Sequence, residues 1–138
     1  APLAIPDNSG GTITACQTIN VPGSITITSV EAEVAASHSW IGDLTVQLTS
    51  PAATTVTLLN RPGRTGTGAG NSDDMQIATP VMYQDAAASA VLAEDMGDGC
   101  VGIIGVTAGC PDNYIPSPDT ADTPIAGLGT NLSSRANH

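Results

Sequence analysis

The sequence predicts an all-β domain rich in turns, and three observations carry that prediction. Its apolar residues are Val, Ile, Leu and Ala, with no Phe, one Trp and two Tyr. Gly (15) and Pro (10) punctuate the whole length and leave no long run of helix formers. Between Leu44 and Thr49 apolar and polar residues alternate strictly, the period of a half-buried strand. At 138 residues the chain fits a single domain, 1–138, with a real core.

Taken in order, residues 1–10 form an extended lead-in that ends in the turn Asp7-Asn8-Ser9-Gly10-Gly11. A strand is expected over 12–21, closed by Pro22-Gly23. In 24–36 the apolar positions switch parity, from Ile25 and Ile27 to Val30, Ala32 and Val34. A one-residue shift reverses every face of a strand, so a bulge or bend is expected near Thr28-Ser29, with Glu31 and Glu33 pointing outward. The 44–49 strand puts Leu44, Val46 and Leu48 inward and ends at Ser50-Pro51. Ala52-Ala53 then links it to an antiparallel partner over 54–60.

Residues 61–74 read as a flexible loop. Their glycines suggest a phosphate cradle, but the loop lacks the Lys and the spacing of a P-loop, and its glycines miss the dinucleotide pattern. A strand over 75–82 is interrupted by Pro80, and 85–94 suits a short helix with Asp85 as its N-cap. Beyond 95 the chain is a Gly-rich excursion, with one apolar run at 101–106 and loop over 111–124.

Charge narrows the function. Thirteen acids face three Arg and no Lys, a formal net charge of −10. Nothing here would neutralise phosphates, so nucleic acid and anionic membrane are excluded as partners. No stretch approaches the ~20 apolar residues of a membrane span. Such acidity suits a soluble extracellular protein, or one whose carboxylates hold Ca²⁺. Cys100 and Cys110 close a short Gly-rich loop and are the expected disulfide, worth about 2–3 kcal/mol. Cys16 is left over, as a buried free thiol or one with a partner outside this chain.

His38 is the one internal His, and a Ser-His-Asp relay is normally assembled from separate parts of a fold. A structural role beside Trp40 is expected instead. One His and three scattered Cys do not make a closed zinc site, and a sugar-cleaving cleft would want more aromatics than this chain has. Calcium is the remaining chemistry. Asp43, Asp73, Asp74 and Asp85 fall in expected loops or strand ends that a sandwich could gather at one end, and Asp95 and Asp98 form a weaker second patch.

These stretches together resemble a known family. Ile5-Pro6-Asp7-Asn8, residues 25–34, the run His38-Ser39-Trp40-Ile41-Gly42-Asp43-Leu44 with its closing Ser50-Pro51, and 54–59 are similar to the P domain (P/Homo B). Asp73-Asp74 and Tyr83-Gln84-Asp85-Ala86 fit later segments of bacterial members. That module follows the catalytic domain in kexin- and furin-like proprotein convertases and in many secreted bacterial proteases. The resemblance implies a jelly-roll-like antiparallel β-sandwich with no catalytic residues, supporting a subtilisin-like serine protease in the secreted space. It also implies Ca²⁺, with Asp43, Asp73, Asp74 and Asp85 as ligands. Two departures stand out. Residues 95–123 look like an insertion, and the family's closing strands are not found before His138, so an open sheet edge could recruit a partner. The alternative function is a module that targets its parent enzyme to a polysaccharide or protein surface.

Overall fold

The computed structural model describes residues 3–5, 14–23, 26, 29–65 and 67–117. Within them the domain is all-β, built from two small sheets, with no α-helix. The first sheet has the order β1-β4-β5: β1 (Ala32–Val34) pairs antiparallel with β4 (Val81–Tyr83), which pairs parallel with β5 (Asn113–Tyr114). The second is the antiparallel hairpin of β2 (Thr45–Thr49) and β3 (Thr55–Asn60).

The alternation in β2 holds as expected, with Thr45, Gln47 and Thr49 exposed and Val46 and Leu48 turned toward the core. Its link to β3 is a tight turn in which Ala53 takes a positive φ of 63° and both Ala53 and Thr54 donate their N–H groups to Ser50. The register shifts between Val46 and Gln47, which face Leu59 and Thr57, so Leu58 is the extra residue of a bulge. Val56, Thr57, Leu58 and Leu59 are all buried, because β3 is covered on both faces.

Several expected elements take another form. Residues 14–21 carry no strand, and the bend foreseen at Thr28-Ser29 falls partly outside the described residues. The apolar stretch 75–82 is cut by a turn in which the Thr79 N–H donates to the Gln76 carbonyl, and β4 begins only after Pro80, which has no N–H to give a ladder. The expected helix over 85–94 is instead a series of turns ending in one 3₁₀ turn, Ala93–Asp95. Ala propensity alone does not hold a helix this short. The 101–106 run is also turns, touching Asp74 through Ile103.

The described residues of the 61–74 stretch, 61–65 and 67–74, are not a loose loop. Pro62 is fully buried, the Gly63 N–H donates to the Glu94 carbonyl and the Asn71 N–H to the Pro62 carbonyl. Residues 95–117, read from sequence as an excursion, supply β5 and the buried Met96, Ile104 and Tyr114. The expectation that the family's closing strands are missing concerns the end of the chain, and 118–138 lie outside the described residues.

Candidate functional site

The motif that organises the sequence also organises the site. The stretch 38–42 runs alongside 71–75: His38 and Met75 exchange both backbone hydrogen bonds (2.9 and 3.0 Å), Ile41 N–H donates to Asp73 O and Gly42 N–H to Asn71 O. On the other side of this ribbon the Asp74 N–H donates to Gly102 O, and the Ile104 N–H to Asp74 O. Three separate segments thus lie edge to edge, 38–42, 71–75 and 102–104. A Cβ on Gly42 would fall 2.7 Å from the Asn71 amide nitrogen, so the Gly-Asp turn needs glycine for the backbones to meet.

The His38 Nδ1 accepts the Trp40 N–H at 3.1 Å. In the neutral ring the proton then sits on Nε2. A hydrolytic relay needs one ring nitrogen on a carboxylate and the other free to accept a proton, whereas Nδ1 of His38 is taken up by backbone. The ring thus holds the backbone of Trp40, the residue that precedes the 3₁₀ turn Ile41–Asp43, and the turn itself has no side-chain cap. Trp40, expected to pack, is instead 39% exposed, with its indole N–H donated to the Ala69 carbonyl at 3.0 Å.

The six candidate acids are spread over different neighbourhoods. Asp43 is exposed at the end of the 3₁₀ turn and paired with Arg61 at 3.4 Å, whose Nε also donates to the Gly42 carbonyl at 3.1 Å. Asp73 is buried, and its Oδ1 accepts the Gly102 N–H at 2.8 Å. Asp74 is half-buried on an open groove shared with Ser37, His38 and Gln76. Asp85 is half-buried in the turn after β4, and Asp95 is exposed in the Ala93–Asp95 turn. Burial, then the neighbouring Asp95 charge, raises Glu94 above the ordinary carboxylate range.

Among the described residues no three His, Cys, Asp or Glu side chains come together as a metal-holding group. Oxygens gather instead around Asn71, a residue the sequence reading did not single out. Its side-chain amide donates to the Met96 carbonyl at 2.7 Å and to Asp98 Oδ1 at 3.0 Å. Asp73 lies nearby, beside Gly97. A Cβ on Gly97 would fall 2.5 Å from Asp73 Oδ2 and 3.0 Å from the Asn71 amide nitrogen. One carboxylate and a carbonyl on the Asn71 amide, with a second carboxylate beside Gly97, are oxygen groups of the kind a hard cation takes. The sequence signal for Asn71 was slight: an Asn two residues before an acid pair in a Gly-rich loop.

The disulfide is formed as expected between Cys100 and Cys110, while Cys16 is unpaired and exposed rather than buried. No helix among the described residues is long and apolar enough to cross a membrane.

No curated protein and no solved structure matches the chain. The family model of the proprotein convertase P-domain, a non-catalytic accessory domain of proteases, matches residues 27–87, the stretch that contains β1 to β4 and the 38–42/71–75 ribbon.

Proposed function

We propose that the chain is a non-catalytic accessory module of a secreted hydrolase, a subtilisin-like serine protease, and that it supports the folding and stability of the attached catalytic domain. The observation that carries this reading is the P-domain match over 27–87. The Cys100–Cys110 bridge supports an oxidising, extracellular setting. His38 Nδ1 holding the Trp40 N–H supports a structural use of the residue that most resembles a catalytic one.

Calcium belongs to the same proposal. Asp73, Asp98 and the Met96 carbonyl would hold it, with the Asn71 amide turned to present its oxygen. Bound there, the ion would tie 71–73 to 96–98. Asp43 is paired with Arg61, and Asp74, Asp85 and Asp95 lie in other parts of the fold.

Thermal melts in excess Ca²⁺ and in EDTA test the metal. A ligand that binds only the folded state raises its apparent stability, so the midpoint should fall on chelation, and Asp73→Asn or Asp98→Asn should remove the difference. An unchanged midpoint would remove Ca²⁺ from the reading. The supporting role is tested by expressing the parent protein with and without 1–138 and comparing active yield and half-life at elevated temperature. Equal values would sink it. The surface-targeting alternative draws on Trp40, whose ring is fixed by its N–H bond to Ala69 and left partly open. Retention on insoluble polysaccharide, abolished by Trp40→Ala, would favour it.

A further inference from the structure

Asp73 and the Cys100–Cys110 loop form a closed unit. The carboxylate is only 7% exposed, and its Oδ1 lies 2.8 Å from the Gly102 nitrogen and 3.6 Å from Cys100 Sγ. The adjoining backbone is tied to the same loop through Asp74 N–H to Gly102 O (2.8 Å) and Ile104 N–H to Asp74 O (2.9 Å). The loop is itself braced by the Ile103 N–H on Thr107 Oγ1, the Cys110 N–H on Thr107 O and the Gly105 N–H on Cys110 O. A buried anion that loses its hydrogen-bond donor is strongly disfavoured. Whatever holds Gly102 in place therefore holds Asp73, and with it the ribbon that positions 38–42.

We propose that the Cys100–Cys110 bridge is a redox latch on Asp73. Oxidised, it keeps the Gly102 amide on the carboxylate and 102–104 on the edge of 71–75. Reduced by a dithiol, it releases both. The thiolate of the dithiol attacks one bridge sulfur and forms a mixed disulfide, and the other cysteine departs as a thiolate and takes a proton. The dithiol's second thiolate then displaces the first cysteine, which is protonated in turn, and a cyclic disulfide leaves. Two electrons pass from the dithiol to the bridge. Each cysteine is 6% exposed, so attack waits for the loop to open. With no cation bound, the negative charge of Asp73 beside Cys100 opposes both an approaching and a departing thiolate. The latch is reciprocal: the bridge keeps a donor on Asp73, and Asp73 protects the bridge. Loss of Ca²⁺ affinity on reduction would follow only if the calcium reading above holds, whereas the latch itself does not need it.

The test uses the whole chain with Cys16→Ala, to keep the exposed thiol out of the exchange. In EDTA, so that no cation masks the charge, reduction by dithiothreitol is timed with Asp73 present and as Asp73→Asn, then repeated with an uncharged trialkylphosphine. Asp73→Asn should speed dithiothreitol several-fold and the phosphine less, since loop opening alone would speed both equally. Hydrogen exchange supplies the second measurement with Asp73 intact. On reduction the Gly102, Asp74 and Ile104 amides should lose tenfold or more of their protection while those of β3 keep theirs. Equal acceleration for the two reductants, or unchanged protection at Gly102 after reduction, would overturn the latch. Should Asp73→Asn not fold, the exchange experiment decides alone. A missing Ca²⁺ effect on the oxidised protein would count against the calcium reading and leave the latch to these two measurements.

Discussion

In residues 27–87, the stretch that matches the P-domain, strands are announced by alternation and paired over several residues, as in β2 and β3. In 88–117 there is no such alternation. That stretch has one two-residue strand, glycines with positive φ at 97, 99, 102, 105 and 109, and a disulfide. Yet both contribute fully buried side chains to one core, Ile41, Leu59 and Tyr83 from the first and Met96, Ile104 and Tyr114 from the second. The first region holds its apolar groups by ladder hydrogen bonds. The second holds them by turns, a covalent bridge and docking onto ribbons the first provides. A segment without a pattern can therefore be as much a part of the core as one with it, provided other elements satisfy its backbone.

The sharpest way to break this comparison is to remove equal volume from both sides. Leu59→Ala and Ile104→Ala should each cost about 2–5 kcal/mol, read as a fall in the urea midpoint with little change in slope. If Ile104→Ala cost much less, 88–117 would be an appendage and not core. Next in size is Gly42→Ala, which sets a methyl against the 70–71 backbone and should cost about 1–3 kcal/mol. A smaller cost would mean that the two ribbons can part without penalty.

The β4–β5 seam, where the regions meet, gives a pH test. Burial, and then the charge of Tyr114, raises Tyr83 well above the ordinary phenol range. Burial, then Asp112 and Asp73, does the same for Tyr114. A folded pKa above the unfolded value means that stability is full below the unfolded pKa and is lost as pH rises beyond it. Unfolding should therefore become easier above about pH 10, by up to about 1.4 kcal/mol per pH unit for each tyrosine. Neither hydroxyl has a hydrogen-bond partner. Tyr83→Phe and Tyr114→Phe should flatten the alkaline limb and leave stability at pH 7 unchanged or higher by about 1 kcal/mol. A marked loss at pH 7 would show that the hydroxyls are satisfied. The smallest effect belongs to the surface: Arg61→Gln, which breaks the partly exposed pair with Asp43, should shift stability by about 0–1 kcal/mol and less at high salt.

How much of this was legible in the residues varies by position. Leu44 to Thr49, the hairpin to 55–60, the outward Glu31 and Glu33 and the disulfide were readable, because each depends on near neighbours in the chain or on the chemistry of two cysteines. The helix expected over 85–94 was not formed, since the Ala93 and Ile115 N–H groups bond across to Ile115 and Val91, and tertiary pairing outweighs the modest helix preference of alanine. Of the acids, Asp73 and Asp98 are legible from sequence only as members of separate groups, and Asn71, which binds Asp98, carries almost no signal.

The sequence by itself determined the all-β class, the face assignments of the clearest strand, the acidic surface and the family resemblance of the 38–51 run. These follow from period, composition and local motif. Only the tertiary structure decided that 61–74 packs, that 88–117 completes the core, and that Asp43 meets Arg61 while Asp73 meets Gly102. Those contacts join residues 18 and 29 positions apart, and local pattern carries no information about which distant donor will satisfy a given acid once the chain is folded.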